Sequence, residues 1–565
     1  MAGRWIVIYG GLLAAVGGVW WLHAEPGRLL KSEAGGERTS TSVEEYNVRQ
    51  AASSLIHRAG GSRPPGLDRP EPGRFYAVDV SSSHPSIDLA FDGDSHYELI
   101  VSSLGDAAQT SHVGLTAEPC AQVESLAAVS VTPIGSTGRR AAPPRAARWS
   151  SLPVSSRVDS ERRFFLHVTS DALEDVRGYV PVTGVLAGEG RRVRVYLDRD
   201  APSAEPAPDL IAEIIRLLDD EIIPRSRAVL GEHADIDGDG KLAVLLTGWL
   251  GKLCGGKTAL NGFVRSNDFQ TDIDAPFGNH ADVIYLNTAL QPGPALKTLL
   301  AHEYTHAVCF SRRLAAAEGA APLPVEEDWL NEAIAHVAEN LHQSGWSNLD
   351  QRVARFLAAP QTAPLVVRDY YRAGLWRDDG CRGATYLFLR FCTDQFGDGI
   401  LRDLVEAHAV GTRNLEQTLG MSFSELFRHW TIALADDGIA SVPVHGTLGE
   451  CSLSGPAHVL WPVDQRPCRI DLRGTTTTFV TLTNAGRRPV MHVTFEVEPQ
   501  ARMQLTLRRV MDGRSPNELP RWTRMCQFSE LHLPVRRNSD DFGSEQRVAK
   551  GSYAAGLADY VSAKK

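Results

Sequence analysis

The spacing of apolar residues changes period several times along this chain. From about Arg74, short runs alternate between turn residues: Phe75 to Val80, Tyr97 to Val101 and Phe164 to Val168. A two-residue period predicts half-buried strands. Val193 to Leu197 alternates too, and reads either as the last strand of this region or the first of the next. Between 208 and 224 the period lengthens. Leu210, Ile211, Ile214, Ile215, Leu218 and Ile222 recur at three and four, which predicts an amphipathic helix. Leu242 to Thr247 and Val283 to Leu286 read as buried strands. From Pro294 to about Asp436 the pattern is helical with short breaks, and alternation returns in Phe479 to Thr483 and His492 to Val497. Strands followed by helices predict a central α+β unit.

These changes divide the 565 residues into a β-rich region at 71–200, an α+β region at 201–440, a C-terminal β region at 441–537 and a tail at 538–565. Residues 25–70, rich in Gly, Ser, Pro and charge, read as a linker or disordered stalk. Within residues 1–24, Arg4 precedes an uncharged apolar run from Trp5 to Leu22, short for a bilayer span. Trp5, Trp20 and Trp21 stand where interfacial aromatics belong. The reading is an uncleaved membrane anchor, with a secretory signal ending at Ala24 as the alternative. Either way the remainder is expected outside the cytoplasm.

Composition changes this picture little. The net charge of -10 gives no nucleic-acid reading, and the one dense basic patch, Arg139, Arg140, Arg145 and Arg148, lies among Ala and Pro as a solvated linker would. Eight cysteines fit an oxidising compartment. Cys451 and Cys468 are a candidate pair, and Cys381 and Cys392 are neighbours on a helical stretch. No Cys-x-x-Cys occurs, so neither a cysteine-bound zinc nor a thioredoxin-like site is indicated.

The chemistry concentrates in His302-Glu303-Tyr304-Thr305-His306. Residues at i and i+4 share a helix face, so both imidazoles can reach one metal, and the glutamate beside them can take a proton from water. Pro294 suits a first helical turn, and Leu296, Leu299, Leu300, Val308 and Phe310 supply packing. A catalytic zinc takes three protein ligands and keeps one open position. Beyond a Pro-containing loop, the helix of Asp328 to Glu339 has an apolar stripe of Leu330, Ala333, Ile334, Val337 and Leu341. Glu332, His336 and Glu339 fall on another of its faces. Glu332 is the natural third ligand, with His336 or Glu339 orienting the histidines. A solvated polar face is the alternative for these three.

HEYTH followed by WLNEAIAH resembles the gluzincin metallopeptidases, and more narrowly the hyicolysin family of bacterial neutral metallopeptidases. The likeness extends over about 240 residues, taking in the helix from Leu210, the turn at Asp235 to Lys241, the strand Asp282 to Leu286, and the stretches Ala384 to Arg390 and Ser422 to Arg428. Thr305 stands where that family usually has Gln, and Ala333 where it usually has Gly, departures that bear on substrate preference. The resemblance implies a zincin-like catalytic domain with one zinc on His302, His306 and Glu332. It implies hydrolysis of polypeptides with Glu303 as base, and Tyr386 as donor to the oxyanion, with Tyr370 and Tyr371 competing for that role. The strand Val283 to Leu286 is then the edge along which an extended peptide pairs.

Asp235, Asp237, Asp239 and Gly240 are similar to the start of a calcium loop, but position 12, which should be Glu, is Leu246. A tight polar turn into a strand is the favoured reading over a Ca2+ site. Beside an active endopeptidase stand two alternatives: a non-endopeptidase metal hydrolase of the same fold, and an inactive zincin-fold binding module.

Overall fold

The run Leu242–Thr247 is buried at every position, so it must be paired on both sides and covered on both faces. A six-stranded mixed sheet meets both demands. Its strands are β1 (Glu161–His167), β2 (Tyr179–Glu189), β3 (Val193–Asp198), β4 (Leu242–Thr247), β5 (Gly262–Phe263) and β6 (Val283–Asn287), in the order β5-β6-β4-β3-β2-β1. β3, β4 and β6 run parallel, while β5 lies antiparallel on β6 at one edge and β2 and β1 complete the other. These positions come from a computed structural model. It describes residues 70–511 apart from 81–84, 93–94, 121–127, 132–159, 170–172, 201–205, 316–324, 343–347, 437–444, 447–448, 451–454, 485–488 and 499–500. The apolar segment of 1–24, residues 25–69, the Arg-rich stretch, Cys451 and the tail at 538–565 lie outside the described residues. Among the described residues no helix is long and apolar enough to cross a membrane.

Alternation along each strand sorts the side chains between two cores. Val244, Leu246, Ile284 and Leu286 face helices, whereas Ala243, Leu245, Val283 and Tyr285 face Leu250, Leu253 and Phe263. The first helical layer is α1, which runs from Leu210–Arg216 through a π-helical turn at Leu217–Ile222 into Ile223–Val229. Among the described residues the further helices of seven or more residues are α2 (Pro294–Ala315), α3 (Asp328–His342), α4 (Leu349–Ala358), α5 (Asp379–Phe396), α6 (Ile400–Glu406), α7 (Gly411–Leu419) and α8 (Phe423–Ala435). α2 packs on α3, and α3 and α4 both pack on α5. The chain is thus a mixed α+β protein. Cys381 and Cys392 are buried on the one helix α5 and form no disulfide.

The β regions differ from their sequence-based division. β1, β2 and β3 fall within 71–200 yet belong to the central sheet. The other strands of 71–200 share two sheets with strands from beyond residue 455. One sheet interleaves Phe75–Val78, Ser95–Ser103 and Ala128–Val131 with His458–Pro462, Thr477–Thr483 and Met503–Met511. The other joins Ser86–Ala90 and Thr110–Pro119 to Cys468–Arg473 and Val490–Val497. Their inner faces meet in one apolar core that includes Leu99, Leu115, Leu482, Val493 and Leu505. A two-residue period reports which face of a strand is buried but not which strand lies beside it, so two distant stretches read as two regions.

Candidate metal centre

Helix α2 buries Leu296, Leu300, Tyr304, Ala307, Val308 and Phe310 in the main core. The i, i+4 spacing then leaves His302 and His306 together on a neighbouring face, with Glu303 beside them. α3 buries Trp329, Leu330, Ala333, Ile334, Val337 and Ala338, which turns Glu332 toward α2. His302, Glu303, His306 and Glu332 all line one cavity of about 430 Å3. The Nε2 atoms of His302 and His306 are 3.1 Å apart. Glu332 Oε2 is 3.5 Å from His302 Nε2, and its Oε1 is 3.9 Å from His306 Nε2. Three donor atoms therefore converge from one direction each, as metal ligands do.

A second cluster, His302, His336 and Glu339, is equally tight but differently placed. Glu339 Oε1 lies 2.7 Å from His302 Nδ1 and 2.8 Å from His336 Nδ1, behind the cavity wall. One carboxylate thus fixes the ring whose Nε2 faces His306 and Glu332, which is the outer support a metal-binding imidazole uses. His336 is buried against the Arg352 guanidinium, whose Nη1 sits 2.8 Å from its Nε2. Neither His336 nor Glu339 lines the cavity.

The electrostatics match a cation site. Burial works against charge on His302, but Glu332 and Glu339 overcome it and push its pKa up to about 10, so this pocket of carboxylates stabilises positive charge. His306 is pushed down to about 4 by burial, leaving its imidazole neutral with one ring nitrogen free to act as a donor to a metal. Burial also opposes ionisation of Glu332, yet Arg382 and the histidines hold its carboxyl well below the usual range. Glu303 is the exception. Burial raises it to about 7, the range in which a carboxyl can accept and return a proton. Two imidazoles and a carboxylate, facing a cavity with room for a further group, fit a zinc ion.

Several sequence-based expectations are corrected at this site. β6 is interior to the sheet and cannot be a free edge; that place belongs to the two-residue strand β5. Gly262 of β5 passes so close that a Cβ there would stand 3.5 Å from Glu303 Cγ and 2.9 Å from Leu286 Cδ2. A strand of two residues has no period to detect. Tyr386 does not line the cavity; it is fully buried, and its hydroxyl meets no hydrogen-bond partner among the described residues. Only the first turns of α5 reach the site, so Asp379 and Arg382 border the cavity while Tyr386, one turn on, enters the core. Tyr370 and Tyr371 do line it, on the loop between α4 and α5. Thr305 and Ala333 are buried away from the cavity, Thr305 with its hydroxyl on the Ala301 carbonyl at 2.8 Å, so those departures leave the walls unchanged.

Arg382, Asn331, Trp376 and Arg377 are cavity residues that the sequence reading did not single out. For Arg382 the available signal was its place one turn before Tyr386 on the same helix. The acidic turn before β4 is self-contained. Asp235 accepts from the N–H groups of Gly238, Asp239 and Gly240 at 2.8, 3.2 and 2.9 Å. Asp237 and Asp239 pair at 2.5 Å with Arg162 and Arg194, and Leu246 lies inside the sheet. Those arginines do for the carboxylates what a cation would.

No family model matches the chain. It is similar to the neutral metalloprotease ShpI of Staphylococcus hyicus, at 23% identity over 295 residues. That alignment covers 47% of this chain and 64% of ShpI, so the chain spans less than two thirds of that relative's length. A distant relationship to a metallopeptidase therefore accompanies a cluster of residues suited to a metal.

Proposed function

We propose that this protein is a zinc-dependent endopeptidase of the gluzincin type, closest in its motifs to the hyicolysin family. His302, His306 and Glu332 hold the metal and Glu303 serves as base. One observation carries this reading: two imidazoles, a carboxylate ligand and a separate raised carboxyl meet in one cavity beside a free sheet edge. Zinc bound there supplies Lewis acidity toward a carbonyl oxygen and acidifies water. Glu303 takes a proton from the attacking water and returns it to the leaving amine. Glu339 keeps the His302 ring in register. Strand β5 is the edge of the sheet among the described residues, and its outer side is where an extended polypeptide can add as a further strand. The mixed sheet followed by α2 and α3 supports a zincin-like catalytic unit. The apolar run of 5–22 supports an exported or membrane-anchored enzyme.

The test compares residues 70–511, wild type and Glu303→Gln, on denatured protein substrates with zinc content measured in both. Glu303→Gln is expected to keep its zinc and lose at least about a hundredfold in rate, the scale of a positioned general base. Equal cleavage by the two proteins would overturn the mechanism.

A further inference from the structure

Resting on the peptidase reading above, we propose that Arg382 donates the hydrogen bond that stabilises negative charge on the substrate's carbonyl oxygen. Arg382 borders the cavity that holds His302, Glu303, His306 and Glu332. It is partly buried at its wall: Nη1 lies 2.5 Å from Glu332 Oε2, Nη2 donates to the Trp376 carbonyl at 3.3 Å, and the guanidinium stacks over the Tyr370 ring at 4.3 Å. Three contacts, one from α3 and two from the loop between α4 and α5, fix the group in place without exhausting it. A guanidinium carries five N–H donors, and these partners engage two nitrogens, so N–H bonds remain for a ligand in the cavity.

The charge fits the step. As the water oxygen bonds to the carbonyl carbon, its proton passes to Glu303 and the C=O π pair moves onto oxygen. When the C–N bond breaks, that pair re-forms C=O and the proton goes from Glu303 to the amine nitrogen. Arg382 stays protonated throughout and answers only the transient charge on oxygen. A fixed, partly buried cation is worth more there than one in open water, because the lower dielectric strengthens it and nothing must reorganise. Tyr370, whose buried hydroxyl meets no partner among the described residues, is the rival donor. It carries no formal charge, and its pKa is raised by burial, which makes it the poorer match to a full oxyanion.

The experiment uses the full chain with Arg382→Lys, Arg382→Gln, Tyr370→Phe and Tyr386→Phe. Zinc content, kcat and KM are measured, together with calorimetric binding of a phosphinate peptide, a tetrahedral anion, and its planar amide counterpart. Both Arg382 variants are expected to lose about a hundred- to a thousandfold in kcat. Phosphinate affinity should fall by a similar factor, with amide binding and zinc content little changed. Lys keeps the charge and the fold but not the fork, so its loss is informative even where Gln unfolds. Zinc lost in step with activity would overturn the proposal, making Arg382 a support for Glu332 alone. So would Tyr370→Phe reproducing the losses while Arg382→Lys does not. If the wild type cleaves no peptide, the peptidase reading falls separately. The phosphinate-to-amide preference, kept or lost in Arg382→Gln, still decides Arg382.

Discussion

At Glu339 one carboxylate oxygen meets two imidazoles, and which of them serves a metal follows from what lies on their other sides. His302 presents Nε2 to His306 and Glu332, whereas His336 presents its own to Arg352, a permanent cation that repels a metal. Glu332→Ala is therefore expected to abolish tight zinc binding, and Glu339→Gln to cost about ten- to a hundredfold by freeing the His302 ring. His336→Ala should cost less than either. Competition with a chelator measures all three, and loss of metal in His336→Ala with retention in Glu332→Ala would assign the ion to the wrong cluster. Asp350, in the first turn of α4, tests a different balance. Burial raises its pKa to about 6, and one carboxylate oxygen meets no partner among the described residues. An acid whose folded pKa lies above its unfolded value stabilises the fold where it is protonated. That contribution is full below about 3.8 and is lost as pH rises through 6. Holding the ionised carboxyl in this site costs roughly 3 kcal/mol, more than the ~1 kcal/mol the helix dipole returns to a first-turn carboxylate. Asp350→Asn should raise the urea midpoint at pH 7.5 and leave it unchanged near pH 3.5. Residues brought together by spacing along one helix, such as His302, Glu303 and His306, were legible in the sequence. Arg382 was not, because its contacts come from α3 and from a loop that no local pattern ties to α5.

Among the elements, long helices read clearly because each presents several turns of apolar repeat, as α2, α3 and α5 do. The edge strand did not, since β5 is only Gly262–Phe263 and its identity lies in pairing with Leu286 and Tyr285. The edge assigned to β6 came with the family resemblance, but a run buried at every position marks an interior strand. The close crossing of α4 and α5 is equally invisible to periodicity. A Cβ at Gly383 would lie 2.1 Å from the carbonyl oxygen of Arg352 and 2.8 Å from the Val353 nitrogen. Both obstacles are backbone, so the helices must part. Alanine gains up to about 1 kcal/mol over glycine in a helix, while overpacking of this kind costs about 1–3 kcal/mol. Gly383→Ala is thus expected to destabilise on balance. Because Arg382 and Arg352 flank the crossing and border the cavity, it should also lower turnover with zinc content unchanged. Urea unfolding and metal analysis on one sample separate these effects, and a neutral or raised midpoint would show that the crossing yields.

Strands from 75–131 and from 458–511 meet in one sandwich, and that sandwich is fastened to the helices rather than hung beside them. Thr475, at the turn before Thr477–Thr483, accepts from Leu365 N through its carbonyl and from Val366 N through its hydroxyl, both at 3.0 Å. Those residues lie in the loop that carries Tyr370, Tyr371, Trp376 and Arg377 along the cavity wall. Arg428 of α8 donates to the Leu505 carbonyl at 3.0 Å and the Thr506 hydroxyl at 2.7 Å, and Ala457 N donates to the Leu357 carbonyl at the end of α4. Phe75, Ile100 and Phe479 of the sandwich are buried in the same core as the helices. Removing either set of strands strips neighbours from the other: Met503–Met511 lies between Phe75–Val78 and Ser95–Ser103. The fragment 160–436 contains every proposed ligand, yet it would expose this shared apolar surface and leave the cavity loop without its anchor at Thr475. It is therefore expected to aggregate or to unfold without cooperativity, and a chain ending at 436 that retains residues 70–131 should fare no better. Residues 70–511 should give one cooperative transition with the zinc retained. Expression of the three forms, followed by thermal unfolding and metal analysis, checks this. Should 160–436 melt cooperatively near the temperature of 70–511 with its metal in place, the sandwich is an accessory. If it does not, the loop along the cavity wall depends on a sandwich residue more than a hundred positions further along the chain.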